Sequence, residues 1–346
     1  MTGVVDRQAP EPSPGEAAPE LDLPSSRRQW LGRYVRRRLL ILVPLAFIVT
    51  VAAFGMTHAA PGGPIAALLE DHPTSPETIA AIKQRYKLDD PVPVQYWTWI
   101  SGVAQGDFGR SIMTNDSVLD EITRRLDVTL PLNLAGIAIA VLLGIPLGVL
   151  AALHRGRSLD RLLVTVSVLF MSTPAFALGL FGLYFLGFKA GWFPLYGPGD
   201  WVFGRVHHLA LPALVLGLHG MGFEMRLTRA AMLEQFEQDY IAAARARGLG
   251  GVHVTVRYAL RNALIPVTTA AGLLFTGLLT GSVLVENVFA LPGLGTLLVS
   301  SVINGDFPMI QGLLLFIAVW IILVNIGVDI LYAFIDPRVG FGRATR

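Results

Sequence analysis

Five uncharged, predominantly apolar runs divide this chain: Leu39–His58, Val128–Leu153, Leu162–Phe188, Ala263–Val285 and Pro308–Val328. Each is long enough to cross a hydrocarbon core of about 30 Å as a helix. A sixth run, Leu209–Phe223, is shorter, but Met225, Leu227, Ala230 and Met232 extend it as a helix. The pattern predicts an all-α, polytopic membrane protein with six transmembrane helices. In the second run Gly136, Ala140, Gly144, Gly148 and Ala152 recur every four residues, a stripe of small side chains that lets another backbone approach closely, so this helix is expected at the centre of the bundle. Pro146 and Pro174 are expected to bend their helices, since each removes a backbone donor.

The polar stretches between the runs set the topology. Arg155, Arg157 and Arg161 lie between the second and third runs. Arg226, Arg229, Arg245, Arg247, Arg257 and Arg261 lie between the fourth and fifth, and the fifth-to-sixth connection has no Lys or Arg. By the positive-inside rule both termini and these arginine-bearing loops face the cytoplasm. Residues 1–32, rich in proline and acidic side chains, read as a disordered cytoplasmic tail ahead of the membrane domain, 33–346. Arg33, Arg36, Arg37 and Arg38 form a basic collar suited to anionic membrane lipid. The first run exceeds a signal-peptide core and reads as an uncleaved anchor. About 59–127 must then be external, with a helix starting at Ser75-Pro76-Glu77 and turning Ile79, Ile82 and Tyr86 to one side. Tyr96, Trp97 and Trp99 fit either an interfacial aromatic belt or an aromatic pocket gripping a ligand. Composition agrees with the membrane assignment: 53% of the 346 residues are hydrophobic and 15% charged. The net charge of +2 follows topology, not one basic face, and indicates no nucleic acid.

The longest cytoplasmic connection, about 233–265, carries the most distinctive pattern. Ala242, Ala243, Ala244 and Ala246 are strong helix formers, Asp239 is a candidate cap, and Gly248, Gly250 and Gly251 end the helix after two to three turns. A second helix follows, and Pro266 opens the next apolar run. An exposed helix this short is stable only when packed on its own protein or on a partner, which makes it a docking candidate.

Ala242 to Gly248 (AAARARG), followed by Arg261 to Pro266 (RNALIP), resembles the cytoplasmic signature loop of bacterial ABC-importer permeases in the dipeptide/oligopeptide/nickel branch. Three further stretches resemble the same branch. They are Tyr86–Pro91 with Tyr96 and Gly106–Ser111, Gly281–Gly295, and Tyr332–Arg338. Where the wider family's signature begins with Glu-Ala-Ala, Ala242 stands in place of the Glu. The resemblance implies a type I importer permease fold and a bacterial cytoplasmic-membrane location, most like the first of two permease subunits. It implies a second homologous permease, two ATPase subunits and an external substrate-binding protein as partners. Ala242, Ala243, Ala244, Arg245, Ala246, Arg247 and Gly248 would then form the coupling helix lodged in an ATPase. ATP and Mg would be bound by those partners, with no cofactor in this chain, which does no covalent chemistry itself. The implied cargo is di- or oligopeptide; nickel or another small solute, or an ion-coupled transporter or channel, is the alternative.

Other chemistry finds little support. No GxxxxGK precedes a Ser or Thr, so the chain cannot be its own motor. There is no cysteine, no HExxH, and His207-His208 has no carboxylate at ligand spacing, so no metal site is expected. His219 is the one candidate intramembrane base, without a GxSxG context. Glu224, Glu286 and Asp329 are placed toward span ends. Glu286 with Asn287 is a candidate for the translocation path or gate; the alternative is that Glu286 caps or braces the turn through Pro292-Gly293. Asn325, Asp329, Tyr332 and Asp336, spaced four, three and four apart, read as interhelical hydrogen-bonding residues or a brace.

Overall fold

A computed structural model describes residues 36, 40, 44–56, 58, 77, 80, 83–84, 87–199 and 202–335, the backbone alone at 202 and 329–335. The expectations for the tail, for Arg33, Arg37 and Arg38, for the helix start at Ser75-Pro76, for Ile79, Ile82 and Tyr86, and for Asp336–Arg338 fall outside them, as do the side chains of Asp329 and Tyr332.

Apolar sequence of this length can satisfy its backbone in lipid only as helix, and helix is what forms. In chain order the elements are α1 (Pro44–Met56), α2 (Val92–Ala104), α3 (Val118–Leu153), α4 (Ser158–Ser172), α5 (Ala175–Gly182, continued by a π-helical turn Leu183–Lys189), α6 (Val202–Phe236), α7 (Asp239–Ala246), α8 (Gly251–Val288, π-helical over Val254–Leu260), α9 (Leu294–Ile303) and α10 (Phe307–Ile335). Among the described residues α3, α6, α8 and α10 are long and apolar enough to cross a membrane, and α4 with α5 makes a fifth span if counted as one. The described part of the first run is the shorter apolar helix α1.

The third span is not one bent helix. α4 and α5 meet at 100° across Thr173-Pro174. Pro174 has no N–H for the Phe170 carbonyl four residues back. His219 of α6 takes over: its Nδ1–H lies 3.3 Å from Phe170 O and 3.2 Å from Thr173 O, so the imidazole seals the break instead of serving as a base. By contrast α3 runs on as one helix through Pro131 and Pro146.

The small-residue stripe of α3 is the seam against α6. Gly136, Ala140, Gly144, Gly148 and Ala152 are all buried. A Cβ on Gly136 would stand 3.1 Å from Leu216 Cβ, one on Gly144 2.8 Å from Glu224 Cβ, and one on Gly148 2.6 Å from Met225 O and from Thr228 Cβ. α3 is central as expected, meeting α4, α6, α8, α9 and α10, and α6 is central with it, packing against α3, α4, α5 and α8. Half of its apolar window is buried, against 28% of that of α3. Three apolar clusters sit along the bundle. One gathers Val118 and Ile122 with Leu294, Leu297, Met309 and Leu313; a middle one centres on Val128, Leu132, Leu211, Leu216 and Phe289. The third, at the far end of α3, joins Ala152 to Met232, Ile241, Ala244 and Ala263.

Candidate functional site

The glycine-bounded helix forms where the alanine run predicts it, as α7, Asp239–Ala246. Its N-cap is Gln238, which makes no side-chain cap bond; Asp239 is the first helical residue and complements the positive end of the helix dipole instead. The C-terminus closes on Gly248 at φ +76°, a left-handed position that glycine adopts without strain. Gly248 N–H donates to Arg245 O (2.9 Å) and Leu249 N–H to Ala244 O (3.4 Å), the paired bonds of a Schellman stop.

Only one side of α7 touches the protein. Ile241 and Ala244 are buried among Ala152, Met232, Val254, Ala259 and Ala263, while Ala242, Ala243, Arg245, Ala246, Arg247 and Gly248 are exposed. Ala244, grouped by sequence with the docking residues, therefore belongs to the inner face. Polar ties hold the helix in place. Tyr240 OH donates to Gln235 Oε1 at 2.6 Å, and Asn262 Nδ2 of α8 donates to that same hydroxyl at 3.0 Å and to Tyr258 O. The Arg245 guanidinium lies 5.8 Å from the centre of the Phe236 ring. The outer face is thus small side chains flanked by two arginines, on a helix clamped to α6 and α8. Its second helix is not separate: Gly251 onward is continuous with the fifth span, and Pro266 lies inside α8 rather than opening it.

Nearby ion pairs, whose arginines read from the sequence only as topology signals, fix the α3–α4 connection to α6. Arg229 Nε and Nη2 donate to the two oxygens of buried Asp160 at 2.6 and 2.8 Å, and Gly156 N–H donates to Asp160 Oδ2 at 2.9 Å. Arg155 Nη1 pairs with Glu237, two residues before α7, at 2.8 Å. An arginine interrupting the apolar pattern of α6, opposite an aspartate opening α4, was the available signal.

Glu286 lies at the opposite end of the bundle, fully buried. Thr129 Oγ1 donates to Glu286 Oε1 (2.7 Å), while Gly295 N–H (2.7 Å) and Thr296 N–H (3.4 Å) donate to Oε2. Thr129 Oγ1 in turn accepts from Leu294 N–H at 2.8 Å. The carboxylate and threonine together cap the first turn of α9 and tie α3, α8 and α9, which is the bracing arrangement. Asn287 is exposed and donates to Val283 O of its own helix at 2.8 Å, so the two neighbours do not act on one point. Thr276 Oγ1 donates to Asn325 Oδ1 at 3.1 Å, an interhelical bond between α8 and α10.

Glu224 lies about three turns before the end of α6 at Phe236, fully buried beside Gly144, with both carboxylate oxygens and the Thr228 hydroxyl lacking a partner among the described residues. The histidine pair holds carbonyls: His207 Nε2–H donates to Trp192 O and His208 Nδ1–H to Gly197 O.

The described residues thus form a bundle of four or five helices long and apolar enough to cross a membrane, with a clamped, outward-facing surface helix. Residues 144–341 match the family described as binding-protein-dependent transport system inner membrane component, and residues 31–133 match the N-terminal region of such a component. The chain is 41% identical over 308 residues to the glutathione transport system permease protein GsiC of Escherichia coli (strain K12), covering 89% of this chain and 99% of that protein. It is equally similar to GsiC of Shigella flexneri serotype 5b (strain 8401). In fold it resembles the MetNI methionine ABC transporter in inward-facing conformations, with TM-score 0.54 at 21% identity over 62% of this chain and 96% of that one. The protein belongs to the binding-protein-dependent inner-membrane component family, as a membrane permease subunit of an ABC importer, of the dipeptide/oligopeptide type and similar to its first permease.

Proposed function

We propose that this permease carries short peptides inward, as one of two homologous membrane subunits served by two ATPase subunits and an external binding protein. The observation that carries the reading is α7: a helix clamped from behind by Ile241, Ala244 and the Tyr240–Asn262 bond, with Ala242, Ala243, Ala246, Arg245 and Arg247 left facing out. A rigid surface helix transmits displacement, and α7 joins α6 directly to α8. Closure of the ATPase pair would move α7, and through it those two helices. Both termini and α7 then lie on the cytoplasmic side, where ATP is. The glutathione permeases at 41% identity make tripeptides the first solutes to try.

The chain lacks cysteine, so a single introduced thiol reports unambiguously. With Ala246→Cys, the expected result is a crosslink to the co-purified ATPase and ATP-dependent uptake of di- or tripeptide by the reconstituted complex. Uptake that proceeds without ATP, by the chain alone, would overturn the reading.

A further inference from the structure

The α3–α6 seam that closes on glycine also encloses an acid. Glu224 and Thr228 stand one turn apart on the face of α6 that meets α3, and both side chains are fully buried. Both carboxylate oxygens of Glu224 and the Thr228 hydroxyl oxygen lack a hydrogen-bond partner among the described residues. The seam is very tight at this level. A carbon added at Gly144 would stand 2.8 Å from Glu224 Cβ and 3.0 Å from its Cγ, and one added at Gly148 would stand 2.6 Å from Thr228 Cβ, so α3 has no side chain to offer either group. Gly144 lies about 14 Å along α3 from its end at Leu153, within the uncharged run, which puts the acid inside the membrane-spanning part of the bundle.

None of the elements packed on α6, namely α3, α4, α5 and α8, turns a cation toward it. α3 has nothing ionisable between Asp127 and His154, and α8 has nothing between Arg261 and Glu286. At the start of α8, His253, Arg257 and Arg261 are exposed, and Tyr258 packs with Met232, about two turns beyond Glu224. α4 carries Asp160, bonded to Arg229, and the exposed Arg161. α5 has Tyr184 and Lys189 in its π-helical turn, where the ammonium lies 5.1 Å from the centre of the tyrosine ring. On α6 itself His219 is turned to the Phe170 and Thr173 carbonyls, Arg226 is exposed and Arg229 is taken by Asp160. Among the described residues no group of three His, Cys, Asp or Glu could hold a metal ion. An ionised carboxylate here would be a buried charge without a counter-charge, which costs far more than a buried neutral acid.

We infer that Glu224 is a proton-binding site built into the α3–α6 seam, occupied while the two helices are in contact and emptied when they part. On parting, water reaches the carboxyl group, its O–H bond breaks, the proton passes to water and the carboxylate left behind is hydrated. The seam is then easier to open as pH rises and tighter as pH falls. The inference goes beyond the peptide-import reading and does not depend on which solute is carried.

The test uses the full chain in lipid nanodiscs, parent and Glu224→Gln, the amide standing in for the protonated acid. Unfolding exposes an ordinary carboxyl to water and releases the proton, so above the ordinary carboxylate range the parent should lose stability with rising pH where the variant does not. The expected result is a thermal unfolding constant that, relative to Glu224→Gln, rises by up to about tenfold per pH unit from mildly acid to neutral pH, the value for one proton. Infrared spectra over the same range should show the carbonyl stretch of a protonated carboxylic acid in the parent and lose it in the variant. Should Glu224→Gln fail to fold, Glu224→Leu serves in its place for both readings. A parent and variant that respond alike to pH overturn the inference, as does a parent without that carbonyl band. So does stabilisation of the parent, absent in the variant, by sodium chloride over choline chloride, which would make the occupant a metal cation.

Discussion

Replacing Glu286 separates a brace from a gate. In Glu286→Ala, Thr129 Oγ–H and Gly295 N–H lose acceptors that now stand 2.7 Å away, on a fully buried side chain. Each buried group left unsatisfied costs about 1–3 kcal/mol, so the pair predicts a loss of about 2–6 kcal/mol. Glu286→Gln keeps the shape and one acceptor oxygen, and should lose about 1–3 kcal/mol. Because Thr129 also accepts from Leu294 N–H, Thr129→Val and Glu286→Gln should couple by at least about 0.5 kcal/mol in a double-mutant cycle. The assay is thermal unfolding in detergent or nanodiscs, where the alanine variant should melt roughly 3–8 °C lower. Uptake by the glutamine variant should fall only as far as its folded fraction falls. A Glu286→Gln protein that melts like the parent yet no longer transports would refute the brace and make the carboxylate part of the path. So would an alanine variant of unchanged stability.

Three other substitutions probe the seam and its charges. Gly148→Ala places a methyl 2.6 Å from Met225 O and Thr228 Cβ and should cost about 1–3 kcal/mol by thermal melting, while Gly281→Ala, with nothing within 4 Å, should cost far less. Glu224→Leu removes a buried carboxylate with no partner among the described residues and should raise the melting temperature, since an unpaired buried polar group costs more than an apolar one; a lower melting temperature would mean the carboxylate is satisfied after all. Asp160→Asn leaves the Arg229 guanidinium without its bidentate partner and should cost about 3 kcal/mol, read as a lower melting temperature, with Glu237→Gln as a control of about 1 kcal/mol or less because its pair with Arg155 is exposed.

The positions of the four long membrane-crossing helices, the small-residue stripe of α3 and the glycine-terminated helix α7 were legible in the amino-acid sequence; the short apolar helix α9 was not. They follow from properties that each residue carries with it: transfer free energy summed over a membrane thickness, helix propensity, and the freedom of glycine at positive φ. The alanine run does not say which of its methyls turns inward: Ala244 is buried, while Ala242, Ala243 and Ala246 are exposed. That Glu224 is fully buried against Gly144 of α3 was not legible, because hydropathy does not say which side of α6 meets a neighbour.

What only the tertiary structure decided is where the polar groups inside the apolar bundle find one another. Glu286 meets Thr129 across 157 positions of sequence, and Asp306 meets Ser111 across 195. His219 reaches the carbonyl that Pro174 releases, which allows a bend of 100° where the sequence indicated only a kink. Apolar burial is non-directional and can be read along the chain, but a buried hydrogen bond needs one particular partner at one distance and angle. That partner is chosen by how the helices pack.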